Sequence, residues 1–320
     1  MKKKILILGA SGFIGRNLAE FFAARDDFEV YGTCLSSQHI SHAGVKMVRA
    51  DLTRREDMDA VLAGMDVVIQ AAAVTSGSKD IHMRPYTHIT DNALMNSLLF
   101  RAAFEQEIPH VLLLSCSIMY QSSDTPRKES DFDACQEMFP SYFGGGWNKV
   151  YFEKMCEFFS RMGKSRYTVI RHSNMYGPWD KFDLERSHVF GATITKVMTA
   201  PEDGTILVWG SGEEGRDLLY IDDLASFIYS VIERQSSQFE IYNVGSGTAI
   251  PVRDLVQKIV ECTGKKLTIV HDLTKPTIKF SLSLDCGKAY QQLGWKPEIS
   301  LEEGIRRTLA WYREHYPCHL

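Results

Sequence analysis

The first fifteen residues contain the feature that most constrains the fold, an apolar run that leads directly into three evenly spaced glycines. Residues 4–15 read KILILGASGFIG, and the apolar run 5–8 is typical of a strand that is buried on both faces of a parallel sheet. A helix pattern begins at Phe13 without an intervening loop. This order of strand, glycine turn and helix predicts a dinucleotide-binding unit. The three glycines are Gly9, Gly12 and Gly15.

Each glycine has its own steric reason in such a unit. Gly9 allows a tight turn, Gly12 lets the backbone approach a diphosphate, and Gly15 lets the helix pack closely on the strand. The start of the helix offers free N–H groups and a partial positive charge to the phosphates. We therefore expect a dinucleotide at this turn. The alternative is a tight strand-to-helix turn that holds no ligand.

Strand and helix patterns alternate through the first half of the chain. This alternation predicts an α/β fold with a Rossmann-type, doubly wound parallel sheet, whose ligands lie at the carboxyl ends of the strands. The predicted strands after the first are 28–34, 45–49, 66–70 and 110–115, and the predicted helices are 54–63 and 87–104.

The second half has shorter elements and more loops. It predicts a smaller C-terminal α/β lobe, with a division into domains 1–172 and 173–320 and a return of the chain to the first domain around 215–245. The predicted helices here are 188–198, 224–234, 252–263 and 301–314, and the predicted strands are 205–209 and 241–244.

Composition excludes several classes of protein. The 320 residues carry a net charge of −4 and no basic run, which is unsuitable for nucleic-acid binding. No segment approaches the roughly 20 apolar residues of a membrane helix. The seven cysteines are scattered without a CxxC pair, which argues against a disulfide framework or a zinc site, so no metal is expected. The basic N-terminus resembles a signal peptide, but its apolar run ends in the glycine turn, and a cytoplasmic protein is expected.

The end of the second predicted strand bears on the choice of cofactor. NAD-binding folds usually carry an acidic residue there for the ribose 2′-hydroxyl, and this chain has Cys34, Leu35, Ser36 and Ser37 instead. Because no carboxylate would repel a 2′-phosphate, NADP(H) is favoured over NAD(H). Arg16, just after the last glycine, could help to hold that phosphate. The alternative for the two serines is an ordinary polar loop.

Motifs along nearly the whole chain resemble the extended short-chain dehydrogenases/reductases that act on nucleotide sugars, within the NAD-dependent epimerase/dehydratase family. The matching segments are GASGFIG (9–15), Asp51-Leu52, the alanines 71–73, Asn92, Lys149 with Glu153, NMYGP (174–178), VWGSG (208–212), RDLLYIDD (216–223) and YNVGSG (242–247). The second half is most similar to the GDP-fucose synthase branch. That similarity rests on SHV (187–189), the VWGSG turn, Lys275-Pro276 and LGW (293–295).

The resemblance implies site residues and partners. It implies a nucleotide-sugar substrate and a homodimer joined through helices 87–104 and 147–161. It assigns substrate binding to Asn174, His188, Trp209 and Arg216, with Arg216 on the diphosphate and Trp209 at the base; the alternative for Trp209 is a core aromatic. It assigns cofactor binding to Gly9, Ser11, Gly12, Phe13, Gly15, Arg16, Ser36, Ser37, Asp51, Leu52, Ala71, Ala72, Ala73, Asn92 and Lys149.

The implied chemistry is hydride transfer between a nicotinamide and a sugar carbon. In the family a Tyr moves the hydroxyl proton, a Lys four residues later lowers the pKa of that Tyr, and a Ser or Thr bonds the same oxygen. This chain keeps the lysine as Lys149 but has Gly145 at the tyrosine position. The Ser/Thr position falls on Cys116, which is followed by Ser117.

Three interpretations of this departure remain open. In the first, Tyr142 replaces the tyrosine; it precedes Lys149 by two helical turns, although three glycines make a regular helix unlikely there. In the second, Cys116, with a pKa lowered by a nearby ammonium, or His188, the acid of epimerisation in the fucose-synthase branch, moves the proton. In the third, the site binds without turnover.

The leading hypothesis is therefore an NADP(H)-dependent oxidoreductase or epimerase of a nucleotide-diphosphate sugar. The alternative, from another class, is a non-catalytic NAD(P)-binding subunit or a redox-responsive binding protein. A lyase that recycles its bound cofactor is a third possibility.

Overall fold

A parallel sheet of seven strands forms the centre of the protein, with the strand order β10-β6-β5-β4-β1-β2-β3. The computed structural model describes residues 1–36, 43–74, 85–184, 187–275 and 277–316. The strands of the sheet are β1 (Lys3–Leu8), β2 (Phe28–Cys34), β3 (Val45–Arg49), β4 (Val67–Gln70), β5 (His110–Leu114), β6 (Arg166–His172) and β10 (Phe239–Val244).

Helices cover both faces of this sheet. Those of the first half are α1 (Phe13–Ala23), α2 (Arg55–Leu62), α3 (Pro85–Glu105) and α4 (Phe143–Met162). Those of the second half are α5 (Val189–Thr199), α6 (Ile221–Arg234), α7 (Val252–Thr263), α8 (Gly287–Leu293) and α9 (Leu301–His315). None of the helices in the described ranges combines the length and the apolar content that crossing a bilayer requires.

The first strand shows why its sequence is apolar without interruption. Successive side chains of a strand point to opposite faces. Ile5 and Ile7 belong to the core shared with α1 and α6, whereas Leu6 and Leu8 belong to the core shared with α2, α3 and α4. Both faces are therefore buried, and the doubly wound parallel sheet predicted from the sequence is confirmed.

The second half builds two further small sheets beside the large one. Strands β7 (Asn174–Tyr176), β9 (Gly215–Tyr220) and β11 (Ala249–Pro251) form one, in the order β11-β9-β7. Strands β8 (Thr205–Trp209) and β12 (Thr268–Asp272) form the other as a parallel pair. Sequence patterns did not identify β6, β7, β9, β11 or β12.

The chain returns to the large sheet after β9. Helix α6 packs beside α1, and β10 pairs in parallel with β6 at the edge of the sheet. The predicted return of the chain around 215–245 includes both elements. The division into domains 1–172 and 173–320 stays a prediction.

Helix α4 corrects one expectation. Its three glycines were expected to prevent a regular helix, but the helix begins at Phe143 and runs through them. Gly146 lies directly against the Met138 sulfur, and a Cβ at Gly144 would be 2.8 Å from Ile89 on α3. This packing offsets the cost of about 1 kcal/mol for each helical glycine.

Candidate functional site

The glycine turn after β1 leaves the start of α1 open at the carboxyl edge of the sheet. Gly9 has a φ of +78°, and a Cβ there would be 2.6 Å from the Cα of Ala72. A Cβ at Gly15 would collide with the Gly9 carbonyl, whereas one at Gly12 would meet only that carbonyl, at 3.4 Å. Gly12 is the N-cap of α1 and brings no side chain to it.

This arrangement fits a dinucleotide diphosphate. The first N–H groups of a helix have no partner within the helix and attract anions. Ser11 and Phe13, two further predicted cofactor residues, belong to the same turn and are partly buried. The alanines 71–73 follow β4, and the second of them packs directly against Gly9.

The side chain of Arg16, just after the glycine turn, contacts two other side chains of the protein. Its Nε donates to the Glu20 carboxylate at 3.0 Å, and its guanidinium stacks 3.1 Å from the ring centroid of Trp179. Trp179 in turn contacts Trp311 on α9, with ring centroids 4.8 Å apart. In this arrangement the guanidinium of Arg16 is engaged by Glu20 and Trp179, and its role toward a 2′-phosphate stays a prediction.

A different arginine lies at the end of β2. Arg49 is the last residue of β3, pairs in register with Cys34, and donates from Nε to the carbonyl of Leu35 at 3.0 Å. Ser36 follows and is exposed, whereas Ser37 lies outside the described residues. Sequence reasoning overlooked Arg49 because it considered only residues that follow β2 in the chain. The pairing of neighbouring parallel strands could have revealed it.

Two other predicted cofactor residues are held by local hydrogen bonds. Asp51 accepts from the hydroxyl and the backbone N–H of Thr53, and these bonds lower the pKa of its carboxyl. Leu52 is buried beside it. Asn92 bonds both backbone groups of Val74, with its side-chain oxygen accepting at 2.9 Å. Asn92 thus fixes the segment after β4.

Lys149 lies where β5 ends. Its Nζ donates to the carbonyl of Leu114 at 2.9 Å. One turn along α4, Glu153 accepts from the Ser115 hydroxyl at 2.6 Å and from the buried Arg171 at 2.7 Å. These bonds join α4 to the carboxyl ends of β5 and β6, and they fix the position of Lys149 relative to the end of β5.

Gly145 and Tyr142 share the face of α4 that carries Lys149, because residues spaced three, four and seven apart align on a helix. A Cβ at Gly145 would be 3.4 Å from the terminal methyl of Ile118. Tyr142 packs between Phe139 and Phe280, with ring centroids 5.7 and 5.6 Å away.

A cavity brings several predicted residues together. Tyr142 and Ser117 line it with two residues of the second half, Asn174 and Arg216. Ser117 follows β5, so the cavity joins the end of the large sheet to the small sheet that contains β7 and β9. The sequence predicted each of these four residues without showing that they meet.

Cys116 has the opposite protonation tendency from the one expected. Burial raises the pKa of its thiol above the ordinary value, and the Lys149 ammonium offsets only part of that rise. The expectation of a thiol activated by the neighbouring ammonium is therefore wrong. Cys116 remains a protonated thiol near neutral pH.

The predicted substrate residues differ in how they are held. Arg216 donates to the backbone carbonyls of Phe280 and Ile278, the latter at 3.1 Å, which fixes its guanidinium in the cavity wall. Asn174 donates to the carbonyl of Asp217 at 3.0 Å. His188 is the exposed N-cap of α5. Desolvation of the imidazole, and then the charges of Lys181 and Arg216, lower the pKa of His188.

Trp209 is not a core aromatic. It is 47% exposed at the end of β8, and the Lys275 ammonium lies 5.8 Å from its ring centroid. Pro276, the second residue of the lysine–proline pair, lies outside the described residues. The ring is therefore accessible to a flat ligand.

His172, at the end of β6, is a residue that the sequence patterns missed. Its Nδ1 is 2.8 Å from the Ser173 carbonyl, so Nδ1 carries the proton and Nε2 is an acceptor. Burial, with smaller effects of the Lys149 and His188 charges, lowers the pKa of His172 to about 4, although the Ser173 bond raises it. Identifying β6 would have revealed it, since polar residues at the ends of parallel strands are candidate ligand contacts.

Within the described ranges, no group of three His, Cys, Asp or Glu residues is placed to hold a metal ion. The residues at the carboxyl edge instead fit a dinucleotide on the α1 side and an anionic ligand on the Arg216 side.

Comparison with known proteins gives one consistent result. The profile of the NAD dependent epimerase/dehydratase family matches residues 5–245. A GDP-L-fucose synthase of Azorhizobium caulinodans is 30% identical over 320 residues, covering 97% of this chain and 96% of its own. A GDP-L-colitose synthase of Yersinia pseudotuberculosis is 28% identical over 312 residues, covering 97% of each chain. A UDP-glucose 4-epimerase of Thermotoga maritima, solved with UDP-glucose, has a TM-score of 0.85 at 24% identity and covers 97% of this chain and 99% of its own.

Proposed function

The chain belongs to the NAD dependent epimerase/dehydratase family of enzymes, and we propose that it is an NADP(H)-dependent oxidoreductase or epimerase of a nucleotide-diphosphate sugar. The single observation that carries this proposal is the shared cavity of Ser117, Tyr142, Asn174 and Arg216. Ser117 follows β5, whose last carbonyl, that of Leu114, accepts from Lys149. The open start of α1 lies at the same carboxyl edge of the sheet. A sugar held there by its diphosphate would present a carbon to the cofactor.

Each part of the candidate site, from the start of α1 to Trp209, has a separate role in this proposal. The start of α1 binds the cofactor diphosphate through its backbone N–H groups. Lys149 holds the nicotinamide ribose and places a positive charge beside the reacting oxygen. The fixed guanidinium of Arg216 binds the substrate diphosphate, because its planar donors match phosphate oxygens. Trp209, accessible on β8, stacks on the nucleotide base. The nicotinamide, when bound, supplies or accepts the hydride.

Turnover can be measured with the purified protein. We expect NADPH to be oxidised on addition of a 4-keto-6-deoxy nucleotide sugar. The loss of absorbance of the reduced nicotinamide measures this oxidation. GDP- and UDP-linked substrates are compared side by side, because relatives named for both nucleotides are similar to this chain. Tight dinucleotide binding with no turnover of either would contradict the proposal.

That negative outcome corresponds to the second candidate function, a non-catalytic NAD(P)-binding subunit or redox-responsive binding protein. Gly145 favours this candidate, since the position of the family's tyrosine carries no proton donor. The protonated Cys116 in place of the Ser/Thr favours it too. Catalysed hydride transfer to any sugar nucleotide would eliminate it.

NADP(H) is the proposed cofactor because Arg49 presents a cation at the end of β2. Its Nε donates to the carbonyl of Leu35, the residue directly before the exposed Ser36. We expect Arg49→Ala to weaken NADPH binding about tenfold, the effect of losing one charge-assisted hydrogen bond of about 1.5 kcal/mol. NADH binding is expected to stay unchanged, and titration calorimetry measures both.

Lys46 provides the matched control, because it is an exposed cation on the same strand and pairs with Glu29. Lys46→Ala should leave both affinities unchanged. An equal loss of NADH and NADPH binding in Arg49→Ala would show that Arg49 does not recognise the 2′-phosphate.

We also propose a homodimer joined through α3 and α4, the helices predicted over 87–104 and 147–161. Three aromatic or apolar side chains of α4 are exposed at helical spacing, namely Tyr151 at 54%, Phe158 at 55% and Met162 at 56%. Leu94 on α3 adds to this surface at 49%. Contiguous exposed apolar surface of this kind commonly marks an interface.

Phe158→Glu should convert the dimer into a folded monomer, because the new carboxylate would lose its water in the interface. Size-exclusion chromatography coupled to light scattering measures the mass. The control is Leu273→Glu, which changes an exposed apolar residue outside both helices. A monomeric mass for the unaltered protein at micromolar concentration would refute the dimer.

We propose a cytoplasmic location as well. The six cysteines in the described ranges are free thiols, as is usual in reducing compartments. Cell fractionation tests this, and recovery of the protein in a secreted fraction would contradict it.

A further inference from the structure

We propose that Tyr142 donates the proton in the reaction, so that this chain carries its catalytic phenol one helical turn before the family's position at 145. The inference rests on the proposed function, since it names the acid of that same site. Three observations on α4 support it independently of the resemblance.

The first observation is the alignment of the helix. Tyr142 is the N-cap residue of α4, Gly145 is three residues later and Lys149 seven residues later. Positions i, i+3 and i+7 lie on one helix face, and three residues correspond to about 4.5 Å along the axis. Tyr142 therefore stands over the same face as the lysine, about one turn further from it than residue 145.

The second observation is the empty position between them. A Cβ at Gly144 would be 2.8 Å from the Ile89 side chain, and one at Gly146 would collide with the Met138 side chain, so a larger residue at either position requires that neighbour to shift. At Gly145 a Cβ would only touch the flexible end of Ile118, at 3.4 Å. No neighbour demands a glycine there. Its effect is to leave room on the helix face, over which the phenol of Tyr142 can meet a ligand.

The third observation is the way Tyr142 is held. Its ring packs against Phe139 and Phe280, and it lines the cavity with Asn174 and Arg216. Its hydroxyl makes no hydrogen bond to the residues that the structure describes. Burial raises the pKa of Tyr142, with partial opposition from Arg216, so the phenol stays protonated near neutral pH. A protonated, unbonded phenol in a substrate cavity suits an acid.

The step is a carbonyl reduction. The hydride that the reduced nicotinamide would supply brings the two electrons of the new C–H bond at the keto carbon of the sugar, and the π electron pair of the C=O bond moves onto the carbonyl oxygen. The carbonyl oxygen takes the phenolic proton of Tyr142 and becomes a hydroxyl. The nicotinamide is left oxidised, and the phenolate regains its proton from water. The Lys149 ammonium stabilises the negative charge that forms between them.

The test moves the phenol along the helix. We expect Tyr142→Phe to lower kcat for NADPH oxidation at least about 100-fold, with an unchanged Kd for NADPH. We expect the double variant Tyr142→Phe/Gly145→Tyr to recover at least tenfold of that loss, about 1.4 kcal/mol of barrier. The control is Tyr290→Phe, which changes an exposed tyrosine of α8 and should match the unaltered enzyme.

Two outcomes overturn the inference. One is near-normal turnover in Tyr142→Phe. The other is a loss without recovery in the double variant while both proteins fold and bind NADPH, which would assign Tyr142 to positioning. Absence of turnover in the unaltered protein would instead refute the proposed function, and the two failures are therefore distinguishable.

Discussion

Lys149→Ala is expected to reduce NADPH oxidation by a sugar nucleotide at least about 1,000-fold. The lysine is fixed at the end of β5 by its bond to the Leu114 carbonyl, and it carries the positive charge nearest the proposed reacting oxygen. Its removal takes away both the contact to the nicotinamide ribose and the charge that stabilises the oxyanion. We therefore expect a fall in kcat together with a weaker Kd for the dinucleotide, measured by steady-state kinetics and by titration.

Lys154 supplies the control for this experiment. It lies on the same helix, is exposed and pairs with Glu157, so Lys154→Ala should behave as the unaltered protein does. If the activity of Lys149→Ala stays within a few-fold of normal, the proposed role of Lys149 is wrong. If Lys149→Ala binds the dinucleotide less tightly but the unaltered protein shows no turnover, the non-catalytic candidate is supported.

Glu153→Leu is expected to lower the free energy of unfolding by about 3–5 kcal/mol. Glu153 and Arg171 are each only 4% exposed and join α4 to β6 through a 2.7 Å ion pair. Arg171 also donates to the hydroxyl of Tyr120. Removing the carboxylate leaves a guanidinium buried without its counter-charge, and it removes the acceptor of Ser115. Urea denaturation followed by circular dichroism measures the loss.

Glu157→Leu is the matched control, one turn further along α4. Its partners Lys154 and Arg161 are largely exposed, so this change should cost less than about 1 kcal/mol. The pair replacement Glu153→Leu/Arg171→Leu should recover part of the loss, because two apolar side chains avoid the unpaired charge. A loss below 1 kcal/mol in Glu153→Leu alone would mean that the pair does not anchor the site.

The sequence predicted β1, β4 and β5 because both faces of the sheet are covered there, which makes each of these strands an apolar run. It missed β6 because two buried polar residues, Thr168 and Arg171, interrupt the apolar run of this strand. Because β6 was not identified, His172 at its end was missed as well. The short strands β7 and β11 have only three residues each, too few for a periodic pattern.

The candidate site was predictable where chemistry depends on spacing along the chain. The glycine turn and Lys149 are of this kind. It was not predictable where contacts join distant segments. Arg16 stacks on Trp179, which lies more than 160 residues away, and the pairing of β2 with β3 brings Arg49 to the end of β2. The helical start of α4 depended on the packing of Ile89 and Met138, which no local propensity encodes.

The position of β10 at the edge of the sheet has a consequence for co-translational folding. Its partner β6 ends at His172, and β10 begins at Phe239, so an excursion of more than sixty residues separates two neighbours in one sheet. Until residue 244 of 320 has left the exit tunnel, β6 is an exposed edge with unpaired N–H and C=O groups. The nascent chain therefore spends about a quarter of its synthesis with an open sheet edge. That interval is when chaperones, or a second nascent copy, have access to the backbone of β6.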